Sequence, residues 1–300
     1  MSRGQVVLKQ LRQNVVKNNK LHSSATLCQD SELVLTATRN QVTTLTMNNP
    51  AKLNGWTVPM VDNIAKLLED HGKAPETKAV ILTGSDPYYC AGAELSKMIR
   101  IMNPKKLHRQ RTEYNAFLFN IFLDFPKPIL IAVNGPAIGA AVTSAALCDG
   151  IIASEKATFL TPFGRLGVPG EGCSTVHFER ILGKEAADRM LKEDWEVSAE
   201  DARRIGLVSE VVPHKQLMER AQMIAESWVA EGRERRILGG GQRQEYKEIN
   251  AAESVKVADA FLSYDFLDGQ YWFLTSKGKI KDARVFWIMK TFHPFWSKFL

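Results

Sequence analysis

The stretch Ile129-Leu130-Ile131-Ala132-Val133, the turn Asn134-Gly135-Pro136, the small-residue run Gly139–Cys148 and then Gly150-Ile151-Ile152-Ala153 decide the fold class. The uncharged run Pro128–Cys148 has the length of a membrane span, but a turn sequence interrupts its centre. Strand, turn, helix, strand is the reading that the punctuation supports. Outward from it, Ala79-Val80-Ile81-Leu82-Thr83 is another short apolar strand, closed by Gly84. Strands that are apolar throughout and alternate with helices predict a largely parallel, buried sheet.

Upstream, Val34–Thr38 and Val42–Met47 alternate at period two around the polar Arg39-Asn40-Gln41, which predicts a hairpin. Asn48-Asn49-Pro50 ends it. Val58, Val61, Ile64, Ala65 and Leu68 mark one face of a helix ending near Gly72. From about Ser198 onward the pattern is mostly helical. Leu217, Ala221, Ile224, Ala225 and Trp228 form one amphipathic face, and Gly239-Gly240-Gly241 is a joint before a helix through about Leu262.

The 300 residues are 45% hydrophobic and 24% charged, the composition of a folded globular chain. The net charge of +6 is concentrated at the start: Arg3, Lys9, Arg12, Lys17 and Lys20 stand in the first 29 residues without an acid, leaving +1 for the other 271. A near-neutral body argues against a nucleic-acid surface. Residues 1–30 fit two readings, a mitochondrial transit peptide or a disordered basic extension. No secretory signal is read there, and the Ser297-Lys298-Phe299-Leu300 end is not a valid peroxisomal tail. Cys28, Cys90, Cys148 and Cys173 fall in no C-x-x-C pair and read as reduced thiols of an intracellular protein.

The common catalytic motifs are absent: there is no G-x-G-x-x-G, Walker A, H-E-x-x-H or G-x-S-x-G, and Gly239–Gly241 is too short for a phosphate loop. No metal-ligand spacing is found. Two turns remain that suit backbone N–H donation. Cys90-Ala91-Gly92-Ala93-Glu94-Leu95 follows a strand, and Gly135–Ala141 opens a helix whose first N–H groups lack internal partners. N–H groups from two such loops can converge on one oxygen as an oxyanion hole.

These turns and their flanks resemble the crotonase family, also called the enoyl-CoA hydratase/isomerase superfamily. The matching residues are Asn49–Asn54, Ala79–Gly84, Cys90–Leu95, Pro126–Ala141, Cys148-Asp149, Ala153–Phe159 and Gly206-Leu207-Val208, spanning roughly residues 32–215. The resemblance implies an α/β fold: a spiral of stacked ββα units with a C-terminal helical region used in trimer or hexamer assembly. It divides the chain into an extension at 1–30, a spiral core at 31–212 and helices at 213–300. It also implies an acyl-CoA substrate with no separate cofactor. The thioester oxygen would be held by the N–H groups of Ala93 and Ala140. Substrate contacts would come from Lys52, Leu53, Ala91, Gly92, Glu94, Leu95, Gly139 and Phe163.

The general bases separate the family's activities. Hydratases use two glutamates, and the matching positions here are Thr143 and Phe163, neither of which is a base. Thr161–Ser174 instead resembles the peroxisomal-type Δ3,Δ2-enoyl-CoA isomerases, with Glu171 on the catalytic glutamate and Gly170 replacing the usual proline. One carboxylate over C2 and C4 can shuttle the proton that moves the double bond. Its pKa would be raised by apolar neighbours such as Phe163, Leu166 and Val168. Glu94 is the rival acid and reads as a brace for its loop; Asp149 reads as structural. Two other readings stay open: a family enzyme acting on a specialised acyl-CoA, and a non-catalytic acyl-CoA- or protein-binding module. The aromatic, basic C-terminal tail could pack on its own body, on a neighbouring subunit or at a membrane surface.

Overall fold

In the computed structural model, which describes residues 32–300, β1 (Val34–Arg39) and β2 (Val42–Met47) form the expected antiparallel hairpin, in register from Val34 with Met47 to Arg39 with Val42. Asn40 and Gln41 both take positive φ, 50° and 63°, the turn geometry that matches the twist of paired strands. Helix α1 (Val58–Lys73) follows, capped by Thr57 and burying Met60, Val61, Ile64 and Leu68. Residues 33–300 form one compact unit; the basic segment 1–30, with its two readings, and Cys28 lie outside the described residues.

Strand β3 (Ala79–Gly84) leads through a long loop to α2 (Pro104–Asp124), then β4 (Ile129–Val133), β5 (Ala137–Ile138), α3 (Ala140–Ala146) and β6 (Gly150–Ser154). The uncharged run thus folds as strand, turn and helix. Next come β7 (Thr158–Leu160), α4 (Phe163–Leu166), α5 (Ser174–Leu182), α6 (Lys184–Lys192), β8 (Val197–Ser198), α7 (Ala199–Arg204), β9 (Glu210–Val212) and α8 (Leu217–Ala230). Helices α9 (Arg243–Phe261), α10 (Tyr264–Ser276), α11 (Ile280–Thr291) and α12 (His293–Trp296) complete the chain.

The main sheet has the order β1-β2-β3-β4-β6-β9, and every pair after the hairpin is parallel. Its central strands are buried on both faces, which is why they read as continuous apolar runs. Alternate residues serve alternate faces. Ala79, Ile81, Leu130, Ala132 and Ile152 pack under α8 through Leu217, Ala221, Ala225 and Trp228. Val80, Leu82, Ile129, Ile131, Val133 and Ile151 face the larger core with α1 and α2. Each fully buried branched aliphatic contributes about 1.5–3 kcal/mol. A second, small sheet, β5-β7-β8, stands beside the ends of these strands.

A third apolar cluster joins Leu107 of α2 to Val257, Phe261, Phe266, Phe286 and Met289 of the C-terminal helices. The tail aromatics divide. Phe286 is fully buried and Trp296 packs on the same cluster, donating Nε1–H to Met289 O at 2.8 Å, whereas Phe295 and Phe299 are 69% and 64% exposed. Among the described residues no helix is long and apolar enough to cross a membrane. Cys90, Cys148 and Cys173 are buried free thiols.

Candidate active site

Beyond β3, Cys90 pairs in parallel fashion with Ala137. Cys90 N–H donates to Pro136 O at 3.3 Å, and Ile138 N–H donates to Cys90 O at 3.0 Å. This stitch places the two candidate donor loops side by side, with Ala93 and Ala140 each three residues past the paired position. Ala140 is the first residue of α3, so its N–H has no acceptor one turn back. Neither the Ala93 nor the Ala140 N–H hydrogen-bonds to another of the described residues. Gly92 lies at φ +79°, and a Cβ there would stand 2.6 Å from Ile138 O, so only glycine lets the loops close this tightly.

The same ladder continues outward. Gly139 N–H donates to Leu160 O at 2.7 Å, and Ile138 pairs with Leu160, which sets Phe163 three residues past that pairing. On the other side Ala91 N–H donates to Leu53 O at 3.0 Å, and Trp56 N–H to Gly92 O at 2.8 Å. Hydrogen bonds therefore join the segments carrying Leu53, Ala91–Ala93, Gly139–Ala140 and Phe163. Lys52, next to Leu53, is exposed at the rim. Leu95 packs on the third apolar cluster. Glu94 ties its loop through the backbone, N–H to Trp56 O at 3.3 Å, while its side chain caps nothing in the short turn that follows.

Glu171 lies in the loop between α4 and α5. Its neighbour Gly172, at φ +66°, packs so closely that a Cβ would meet the Phe119 ring at 2.4 Å and Thr143 Oγ1 at 2.9 Å. Thr143 is three residues into α3 from Ala140, so the backbone next to Glu171 packs against the helix that carries the second donor. Glu171 Oε2 accepts a hydrogen bond from Asn115 Nδ2 at 2.5 Å. Ser254 Oγ, 2.9 Å from Asn115 Oδ1 and 2.7 Å from Asn250 O, shares its hydrogen between them and orients the amide. Burial pushes the Glu171 carboxyl up to about 7; the Asn115 bond opposes this, and the charge of Glu253 adds to it. A freely solvated loop glutamate would have no such shift.

Glu253, on α9, is itself buried and holds the loop in place. Its carboxylate accepts from Cys173 N–H at 2.5 Å, Thr175 N–H at 3.0 Å and Thr175 Oγ1 at 2.5 Å. Burial raises its pKa too, against those bonds. Thr143 and Phe163 are both buried, and neither offers a carboxylate. Asn115, Glu253 and Ser254 do not stand out in the sequence reading. The available signal was polar residues on the buried stripes of two helices: Asn115 beside Leu118 and Phe119, and Glu253 four residues before Val257.

The chain that carries these loops and Glu171 has relatives among known proteins. The family model described as enoyl-CoA hydratase/isomerase matches residues 37–238. The chain is 35% identical over 185 residues to mouse (Mus musculus) enoyl-CoA delta isomerase 3, peroxisomal, covering 61% of this chain and 58% of that protein. It is 34% identical over 190 residues to mitochondrial enoyl-CoA hydratase of Pongo abelii, covering 62% and 63%. The chain thus spans about three fifths of the length of these relatives. Among solved structures, an enoyl-CoA hydratase/isomerase from Pseudoalteromonas atlantica superposes with a TM-score of 0.71 at 25% identity, covering 82% of this chain and 98% of that one. With more than half of its length matched by the family model, the chain belongs to the enoyl-CoA hydratase/isomerase family.

Proposed function

We propose that this protein is a Δ3,Δ2-enoyl-CoA isomerase that moves a double bond from C3 to C2 with one carboxylate. The thioester oxygen is held by the Ala93 and Ala140 N–H groups. Glu171 takes a proton from C2, the electron pair delocalises through the C3–C4 double bond and onto that oxygen, and the same carboxyl returns the proton to C4 as the C2–C3 double bond forms. The observation that carries this reading is that Glu171, its carboxyl pushed up to about 7, adjoins Gly172, which packs on Thr143 of the helix that Ala140 begins, while the positions of the two hydratase acids hold Thr143 and Phe163. A base with that pKa abstracts and returns a proton near neutrality with little penalty either way. A half-buried loop acid whose carboxyl is pushed up to about 7 also weighs against a binding module without chemistry. Mixing the protein with a 3-enoyl-CoA should produce conjugated-enoyl absorbance, with little hydration of a 2-enoyl-CoA. Hydration as fast as isomerisation would contradict the reading.

The base must be ionised to act, so kcat/KM should rise with pH through about 7. Asn115→Ala removes the hydrogen bond that favours the carboxylate, so the limb should move upward by about one pH unit or more. A pH–rate profile reads this, and an unmoved limb would deny Asn115 its role. The reading carries with it an acyl-CoA substrate, no separate cofactor, work in a mitochondrion or peroxisome, and assembly as a homotrimer or hexamer. Trp272, Phe273, Trp287 and Phe295 leave large apolar surface on the C-terminal helices, which supports assembly there. Light scattering should give at least three times the chain mass, and a monomer would contradict it.

A further inference from the structure

Leu123, Asp149, Arg233, the stretch Arg235–Gly241 and Arg243 line an open cavity of about 480 Å³ that the isomerase reading does not use. It lies at the opposite end of the main sheet from the donor loops. Asp149 immediately precedes β6 and accepts from Ile129 N–H, at the start of β4, whereas Ala93 and Ala140 lie beyond the strands' C-terminal ends. Four arginines line the cavity, Arg233, Arg235, Arg236 and Arg243, against one carboxylate.

That carboxylate is already saturated. Arg235 Nη1 stands 2.9 Å from Asp149 Oδ2, and Arg236 N–H donates to Asp149 Oδ1 at 2.5 Å. Arg235 also donates to Leu147 O at 2.6 Å and Phe122 O at 3.2 Å, so it is the floor of the cavity. Three guanidinium groups are left without a carboxylate among the described residues. Arg233 lies over the Trp228 ring at 4.1 Å, with its Nε buried and unpartnered. Arg236 and Arg243 are exposed and make no ion pair among the described residues. Of the nearby acids, Asp124 pairs with Lys247 and Glu245 with Arg180, while the exposed Glu234 is not part of the lining. Helix α9 begins at Arg243 without a side-chain cap, so its positive end adds to the same wall.

We propose that this cavity binds a phosphorylated ligand carrying a diphosphate or two neighbouring phosphates, separately from the acyl-CoA site. Three arginines that make no ion pair among the described residues suit a ligand of two to three negative charges, and their planar forks bind phosphate oxygens in pairs. The volume lies in the range of small-molecule sites, roughly 300–1,000 Å³. The short glycine run is no phosphate loop in itself; the arginines supply the charge.

The test is calorimetric titration of the full chain with inorganic pyrophosphate, and in a second arm flotation with vesicles bearing phosphatidylinositol bisphosphate. Both are repeated on the Arg236→Ala/Arg243→Ala variant, with circular dichroism to check its fold. Both substituted side chains are exposed, so the variant should fold. Binding in either arm that weakens about tenfold or more in the variant supports the site, and the arm tells a free phosphate from a lipid headgroup. Absence of binding, or binding indifferent to the arginines, overturns it. So does a variant that changes particle mass without either wild-type arm showing binding, because the arginines would then serve a subunit contact.

Discussion

Glu171→Gln is expected to fold normally and to lose about 10²–10⁴-fold in turnover of a 3-enoyl-CoA. The replacement is nearly isosteric, and its amide oxygen can still accept from Asn115 Nδ2, so the loop keeps its anchor. Cys173 and Thr175 remain held by Glu253, two bonds of which go to the backbone. What the amide cannot do is take the C2 proton. Because the proposed mechanism has only one base, no second carboxylate should rescue it. Steady-state kinetics read the loss, and circular dichroism checks the fold. Full turnover in the variant would transfer the role to Glu94, half-buried beside the first donor.

Arg235→Met is expected to destabilise the fold by about 3–5 kcal/mol, the usual cost of stranding one partner of a buried pair. Asp149 and Arg235 are both almost wholly enclosed. Burial raises the pKa of Asp149, with Arg235 the main opposing influence. Without Arg235, Asp149 must be protonated or carry an uncompensated charge, while it still accepts from the Ile129 and Arg236 N–H groups. Typical domains have only about 5–15 kcal/mol in total, so the shift should be large in a denaturant titration. The double variant Asp149→Asn/Arg235→Met should recover part of it. A loss below about 1 kcal/mol would mean that water reaches the pair.

The parts of the fold legible in the sequence are those where one physical rule acts alone. The central strands had to be apolar on both faces, and Gly84 and Asn134-Gly135-Pro136 mark their ends. The α8 face shows its helical period because one side packs on the sheet and the other meets water. Helix α2 was not legible, although Asn103 caps it and Pro104 starts it. Its buried side mixes Leu107 and Phe119 with Asn115 and the half-buried Arg111, so the apolar period is broken where the candidate site needs polar groups. The donor loops were legible as small-residue turns. Asn115, Glu253 and Ser254, which hold Glu171 and its loop, were not, because the contacts come from helices more than 50 residues away in the chain. The tail's aromatic count likewise did not tell Phe286, which the third cluster encloses, from Phe295, which it leaves outside.

The single-carboxylate shuttle is tested most directly by a 3-enoyl-CoA carrying deuterium at both C2 positions, converted in ordinary water. One base that removes the C2 deuteron and returns it before exchange delivers label to C4. The account predicts that mass spectrometry of the 2-enoyl-CoA product finds a measurable fraction of deuterium at C4, and that Glu171→Gln abolishes the conversion. Product formed at full rate with only solvent hydrogen at C4, at the earliest turnovers, would contradict it.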